Sequence, residues 1–178
     1  MEIHLVRHTT PDIAKGVCYG QTDIDLAASF HSEVKSVKDQ LPDQFDKVFS
    51  SPLTRCSQLA KSISRETQIV FDDRLMEINF GDWELSKWDD IPKSELDPWM
   101  KDFVNIAPPG GESMKDLQNR VIDWWEGIDD REVDKILVIT HAGVLRILWC
   151  HTQNIELKDS FNEFNVGYGQ VLTVARTS

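Results

Sequence analysis

The sequence holds only three cysteines, Cys18, Cys56 and Cys150, and no two of them form a Cys-x-x-Cys pair. So sparse and odd a set cannot build a disulfide framework, and it suits a protein kept in the reducing cytoplasm. Long apolar runs are missing as well. No stretch approaches the roughly 20 residues that cross a bilayer, and no basic segment followed by an apolar one opens the chain, so neither a membrane anchor nor a secretory signal is expected. Positive charge is scarce: 19 Lys and Arg stand against 30 Asp and Glu, a net charge of −11. A field of that sign repels nucleic acid and anionic membranes, which excludes both as partners. There is no H-E-x-x-H, no other close pairing of metal ligands and no G-x-G-x-x-G, so neither a metal nor a dinucleotide cofactor is expected. Internal repeats and low-complexity tracts are also absent.

What is present reads as one domain of 178 residues, 40% of them apolar, enough for a sizeable core. A first strand covers about Glu2–Val6. Asp25 to Leu41 carries Leu26, Phe30, Val34, Val37 and Leu41 at helical spacing. Lys47–Ser50 is a short buried strand, and Ser51-Pro52 opens a helix, serine at the cap and proline in the first turn, running to about Arg65. Ile69–Phe71 is a third strand. Residues 72–111 are irregular, rich in Trp and Pro, and read as a lid-like insertion around 80–111. Glu112 to Ile128 is a helix with Ser113 as its cap. Lys135–Ile139 is apolar almost throughout, as a strand covered on both faces must be. A helix over about Ala142–His151 and a last strand over about Gly169–Ala175 complete the chain. The alternation predicts an α/β fold, a three-layer α/β/α sandwich around a mostly parallel central sheet.

In such a sheet the strand exits share one edge, where ligands bind. The first exit carries Arg7-His8, the second leads to Arg55, and the fifth segment ends in Thr140-His141-Ala142-Gly143. Two guanidinium forks and two helix N-termini at one edge suit a phosphate. A carboxylate from the loop after the third strand can join them. Glu77 is the first candidate, with Asp82, Glu84 and Glu112 as the other carboxylates nearby. His4, His31 and His151 are expected to be structural, and Trp83, Trp88 and Trp99 to serve packing.

Five blocks, LVRH, SSPLTRCSQLA, RLMEINFGDWE, PPGGES and VITHAGVLR, fall in an order spanning residues 3–146 that resembles the histidine phosphatase superfamily, or phosphoglycerate mutase-like proteins. The short length, FGDWE after Glu77 and the CYGQTDIDLA loop are most similar to the bacterial α-ribazole phosphatases of cobalamin assembly. The resemblance implies a cytoplasmic, metal-independent phosphomonoesterase without cofactor, a monomer or homodimer acting on a small-molecule phosphate monoester such as α-ribazole 5′-phosphate. It implies that His8 becomes phosphohistidine, that Arg7, Arg55 and His141 hold the transferring phosphoryl group, and that Glu77 moves the proton. The chain departs from the family's pattern where Thr9 and Thr10 replace Gly and Glu, where Leu26-Ala27-Ala28-Ser29-Phe30 lacks the terminal glycine of the usual L-T-x-x-G, and where Ala14 stands near the usual Asn. Thr10 and Gln21 are then the candidates for the missing phosphate contacts. Two other readings stay open: a phosphoglycerate mutase or other small-metabolite phosphatase, or a phosphoryl-binding module without turnover.

Overall fold

The computed structural model describes residues 1–64, 66–129, 131 and 133–176. Five strands, β1 (Glu2–Arg7), β2 (Lys47–Ser50), β3 (Ile69–Phe71), β4 (Lys135–Thr140) and β5 (Val171–Ala175), form one sheet in the order β3-β2-β4-β1-β5. Pairing is parallel from β3 to β1, and β5 closes the far edge antiparallel to β1. The alternation of side chains along each strand decides which helix it meets. Ile3, Leu5, Ile136 and Val138 face α4 (Met114–Glu126) and α5 (Ala142–Gln153). Val6, Val48, Leu137 and Ile139 face α1 (Phe30–Lys38) and α2 (Thr54–Ile63). The central strand β4 is therefore apolar on both sides, as its sequence predicts. Each fully buried aliphatic side chain contributes about 1.5–3 kcal/mol over the exposed state.

β1 and β4 are neighbours, yet β1 leads to α1 on one face and β4 leads to α5 on the other. A crevice opens at the carboxyl ends of two such strands, because their connections diverge. Backbone bonds fix this edge. His8 N–H donates to Thr140 O at 2.9 Å, and Ser51 N–H donates to Ile139 O at 3.0 Å.

A separate aromatic cluster lies in residues 80–111. Trp83, Trp99, Ile91 and Cys18 are buried together, with Phe80, Trp88 and Phe103 around them. Trp83 donates its indole N–H to Glu95. The cluster contains α3 (Lys93–Lys101), which the proline-rich sequence conceals. No helix among the described residues is long and apolar enough to cross a membrane.

Several boundaries differ from the sequence-based expectation. α1 starts at Phe30, not Asp25, because Leu26 pairs with Pro11 in an isolated bridge and Asp25 O accepts from Asp12. It ends at Lys38, the next residues closing as a turn. α2 is capped by Leu53 rather than Ser51, whose N–H is committed to the sheet. The expected end of that helix near Arg65 lies outside the described residues. α4 starts after Ser113, whose hydroxyl and Asp116 form a reciprocal capping box. It ends at Glu126 rather than Ile128. α5 runs two residues further than expected, to Gln153, and closes on Asn154 in the left-handed region. β1 reaches Arg7, and β5 starts at Val171 because Gly167–Gln170 form a turn.

Gly81 ties this aromatic segment to the Pro108–Gly111 turn. Its φ is +55°, and a Cβ there would stand 2.1 Å from Pro109 O. Gly81→Ala is expected to destabilise the protein by more than about 1 kcal/mol, read as a lower urea midpoint. An unchanged midpoint would show that the two segments can part without cost.

Candidate active site

His8 follows β1 and is 2% exposed. Its Nδ1 lies 2.7 Å from Thr9 O. A carbonyl can only accept, so Nδ1 carries the proton and Nε2 keeps its lone pair. Burial first, then Arg55 and Arg7, hold the His8 imidazole well below its ordinary 6.5, so the ring is neutral. His141, at the end of β4, meets it edge to face with ring centroids 5.0 Å apart. His141 Nε2 lies 2.8 Å from Ser51 Oγ and 3.4 Å from Cys56 Sγ. Burial, His8 and Arg55 depress the His141 pKa in the same way.

Arg55 is wholly buried in the first turn of α2. It donates to Thr22 O at 2.9 Å and to Gly20 O, which fixes the plane of its guanidinium. Arg7 donates to Val166 O at 2.7 Å. The Nε of each arginine is buried with no acceptor among the described residues. An orphaned charged donor is costly, and two of them beside a neutral imidazole make a place for an oxyanion. The Arg7 guanidinium also lies 3.9 Å from the ring centre of Tyr168.

The four carboxylates near the site separate by what already holds them. Glu77 Oε1 accepts from Ile78 N–H at 3.0 Å and from Gly143 N–H at 3.1 Å, while Oε2 has only the 3.2 Å contact with Gly143. Among the described residues Oε2 is therefore the less engaged of the two oxygens. Glu84 accepts from Gly20, Gln21, Thr22 and Phe80 N–H groups and from the Thr22 hydroxyl. Burial alone would raise its pKa, but the Thr22 hydroxyl and those N–H groups outweigh it and hold it low. Glu112 is spent on Arg120 and Asn79 N–H, and Asp82 lies exposed near Gly110. Glu84 and Glu112 are thus taken up by the protein's own donors, while Glu77 keeps one oxygen with a single long contact.

Thr10 and Gln21 are both engaged within the protein. The Thr10 N–H and hydroxyl donate to Glu33 at 2.8 and 3.2 Å, and the Gln21 side chain donates to Glu77 O at 3.1 Å. A phosphate contact from Thr10 requires it to leave Glu33. Thr9 has no positive φ, so its backbone does not demand the glycine expected there, although its buried hydroxyl has no hydrogen-bond partner among the described residues. Of the other histidines, His4 is buried in β1 beside Glu2, and His31 and His151 lie on α1 and α5. Among the described residues no group of three or more His, Cys, Asp or Glu is placed to hold a metal ion.

Sequence reasoning missed several participants. Arg120 looks like a surface residue of α4, yet it donates to the carbonyls of Arg74, Met76 and Glu77 and so braces the strand of chain bearing Glu77. Ser51 carries a helix-cap signal in the sequence, yet its hydroxyl lies 2.8 Å from His141 Nε2. Tyr19 and Tyr168 carry no local signal, since their meeting depends on the fold.

A family model, histidine phosphatase superfamily (branch 1), matches residues 3–177. Phosphoserine phosphatase 1 of Hydrogenobacter thermophilus is 24% identical over 96% of this chain and 86% of its own length. The adenosylcobalamin/alpha-ribazole phosphatase of Salmonella typhimurium is 27% identical over 83% of this chain and 77% of its own. Among solved structures, the alpha-ribazole phosphatase from Shigella flexneri aligns with a TM-score of 0.91 and 23% identity, covering 99% of this chain and 91% of that one.

Two outcomes follow from the buried groups. An unfolded histidine titrates near 6.5, whereas native His8 and His141 stay neutral to lower pH. Below 6.5 the unfolded chain therefore binds protons that the native one refuses, and stability falls with falling pH. Urea midpoints compared at about pH 7.5 and about pH 5.5 should show this loss, and the His8→Asn/His141→Asn double variant should lose less. Equal losses would mean that other groups carry the effect. Separately, a Cβ on Gly143 would stand 2.2 Å from Glu77 Oε1. Gly143→Ala is expected to lower kcat/KM on an alkyl phosphate by about 10²-fold through this displacement, and wild-type kinetics would release Glu77 from its proposed part.

Proposed function

Because the chain belongs to the histidine phosphatase superfamily, a family of phosphatases and mutases, we propose that it hydrolyses a small phosphate monoester through a phosphohistidine at position 8. The observation that carries this reading is the neutral His8, its Nδ1–H tied to Thr9 O, between two arginines whose Nε–H groups have no acceptor among the described residues. Nε2 attacks phosphorus while the P–O bond to the leaving alcohol breaks. The positive charge that develops on the ring is stabilised through Nδ1–H and Thr9 O. Arg7, Arg55 and His141 hold the phosphoryl oxygens, which is the main electrostatic contribution to such transfers. Glu77, protonated on Oε2, gives its proton to the departing alkoxide. It then takes one from water, whose oxygen attacks phosphorus as the P–Nε2 bond breaks. Residues 80–111 serve as a lid-like insertion beside the loop that carries Gly20 and Thr22.

The preferred substrate is α-ribazole 5′-phosphate. Support comes from the FGDWE and CYGQTDIDLA blocks and from the likeness to the Salmonella enzyme. A panel of α-ribazole 5′-phosphate, phosphoserine, 3-phosphoglycerate, sugar phosphates and nucleotides tests it, and the ribazole ester should show the highest kcat/KM. Brief mixing with labelled substrate should leave an acid-labile, base-stable phosphoryl group that His8→Ala cannot form. Arg55→Ala should lower kcat/KM by about 10²–10³-fold. Glu77→Gln should impair alkyl esters far more than p-nitrophenyl phosphate, whose leaving group needs no proton. Label on His8→Ala would overturn the mechanism, and a better rate on another ester would overturn the substrate.

A further inference from the structure

The chain contains only two tyrosines, and they meet. Tyr19 Oη and Tyr168 Oη lie 2.7 Å apart although their residues are 149 positions apart in sequence. Each ring belongs to one side of the phosphoryl site. Tyr168 lies over the Arg7 guanidinium at 3.9 Å and tilts against the His8 ring at 5.5 Å between centroids. Tyr19 has the Arg55 guanidinium 5.5 Å from its ring centre. The bonded hydroxyls therefore span the space in front of His8 and both arginines.

The backbones beneath the two rings are pinned. Gly169 N–H donates to Arg7 O and His8 O, which fastens the Tyr168 turn to the end of β1. Cys18 exchanges bonds with Leu85 and Ser86, and Gly20 N–H is held by Glu84. Opening the passage therefore calls for side-chain rotation alone. Tyr168 is 41% exposed and stands between Gly167 and Gly169, so neither residue flanking it in the chain carries a side chain to crowd its swing.

We propose that Tyr19 and Tyr168 form a clasp across the mouth of the phosphoryl site: an entering phosphate monoester parts them, and each hydroxyl exchanges its bond to the other for a bond donated to the ester. This deepens the phosphomonoesterase reading and rests on it. A dianionic phosphate has more acceptor sites than the two orphaned Nε–H groups can fill, and on the open side only water would complete them. Two phenols supply donors there without adding charge. Burial and the bond to Tyr168 push the Tyr19 phenol above its ordinary range, so it remains a neutral donor rather than an anion that would repel the substrate.

With two tyrosines, uniform 3-fluorotyrosine labelling gives two fluorine resonances, assigned by Tyr19→Phe and Tyr168→Phe. In the free protein each substitution should move the resonance of the remaining tyrosine. Saturating orthovanadate, a phosphoryl transition-state mimic, should move both resonances of the unsubstituted protein along one binding curve. In steady-state assays each substitution should raise KM about tenfold, more than it lowers kcat. The double variant should show the product of the two effects, since each hydroxyl then serves the ester independently. If vanadate binds by calorimetry and neither resonance moves, the clasp is wrong while the phosphatase reading stands. If the double variant is no worse than either single one, the hydroxyls serve only each other, and the clasp's role in binding is overturned. If vanadate does not bind at all, the phosphatase reading fails, and the proposed ligand of the clasp with it.

Discussion

One carboxylate, Glu84, holds the site together. Its two oxygens gather the N–H groups of Gly20, Gln21, Thr22 and Phe80 and the Thr22 hydroxyl. Those bonds join the long loop after β1 to the segment after Glu77. The Gly20 and Thr22 carbonyls are thereby aimed at Arg55, which they hold by both terminal nitrogens. The approach is so close that a Cβ on Gly20 would stand 1.8 Å from Ile78 O. The glycine, the carboxylate and the arginine are thus one device: an anion that never touches substrate sets the direction of a cation proposed to do so. A charge-assisted bond is stronger than a neutral one, which explains why an ionised side chain rather than an amide serves as the hub.

The same logic reconciles a strongly acidic protein with an anionic ligand. Net charge is −11, but around the site the half-buried acids other than Glu77 are engaged by the protein's own donors. Glu84 is saturated by donors, Glu112 is paired with Arg120, and Glu33 is occupied by Thr10 and Ser29. Arg7 and Arg55 keep donors without acceptors among the described residues. Those cations also keep both imidazoles neutral, a state that burial favours already. A nucleophile needs that neutrality, because a protonated ring has no lone pair to offer.

The features legible in the sequence were those written in neighbouring residues. The apolar run of β4 announced a strand covered on both faces, and Ser113 announced the cap of α4. That Arg7-His8, Arg55 and His141 would lie at one edge was legible because strand exits in a parallel sheet converge, a rule that needs only the order of elements. Where the expectation failed, distant contacts had overruled local ones. Residues 25–29 have helical spacing, but Leu26 is claimed by Pro11. Ser51-Pro52 has a helix-start signature, but the sheet takes the serine's N–H and His141 lies against its hydroxyl. Glu77 came first on its place in the RLMEINFGDWE block, but the donors that engage Glu84 and Glu112 are not revealed by sequence. Arg120 and the tyrosine pair were illegible for the same reason.

The arrangement of the sheet also orders events in time. β1 and His8 are synthesised before the other strands, yet β1 lies between strands made much later: Glu2 faces Lys135 on one side and Ala175 on the other. The bond from His8 N–H waits for Thr140, and Gly169 fastens the end of β1. A growing chain can close β2, α2 and β3 from nearby residues, but it must hold Arg7 and His8 apart from their partners until the last strand arrives. Contacts of such long span make folding slow. Assembly of the reactive corner is thus coupled to the closing of the sheet, so that a half-made chain carries a histidine but no pocket to activate it.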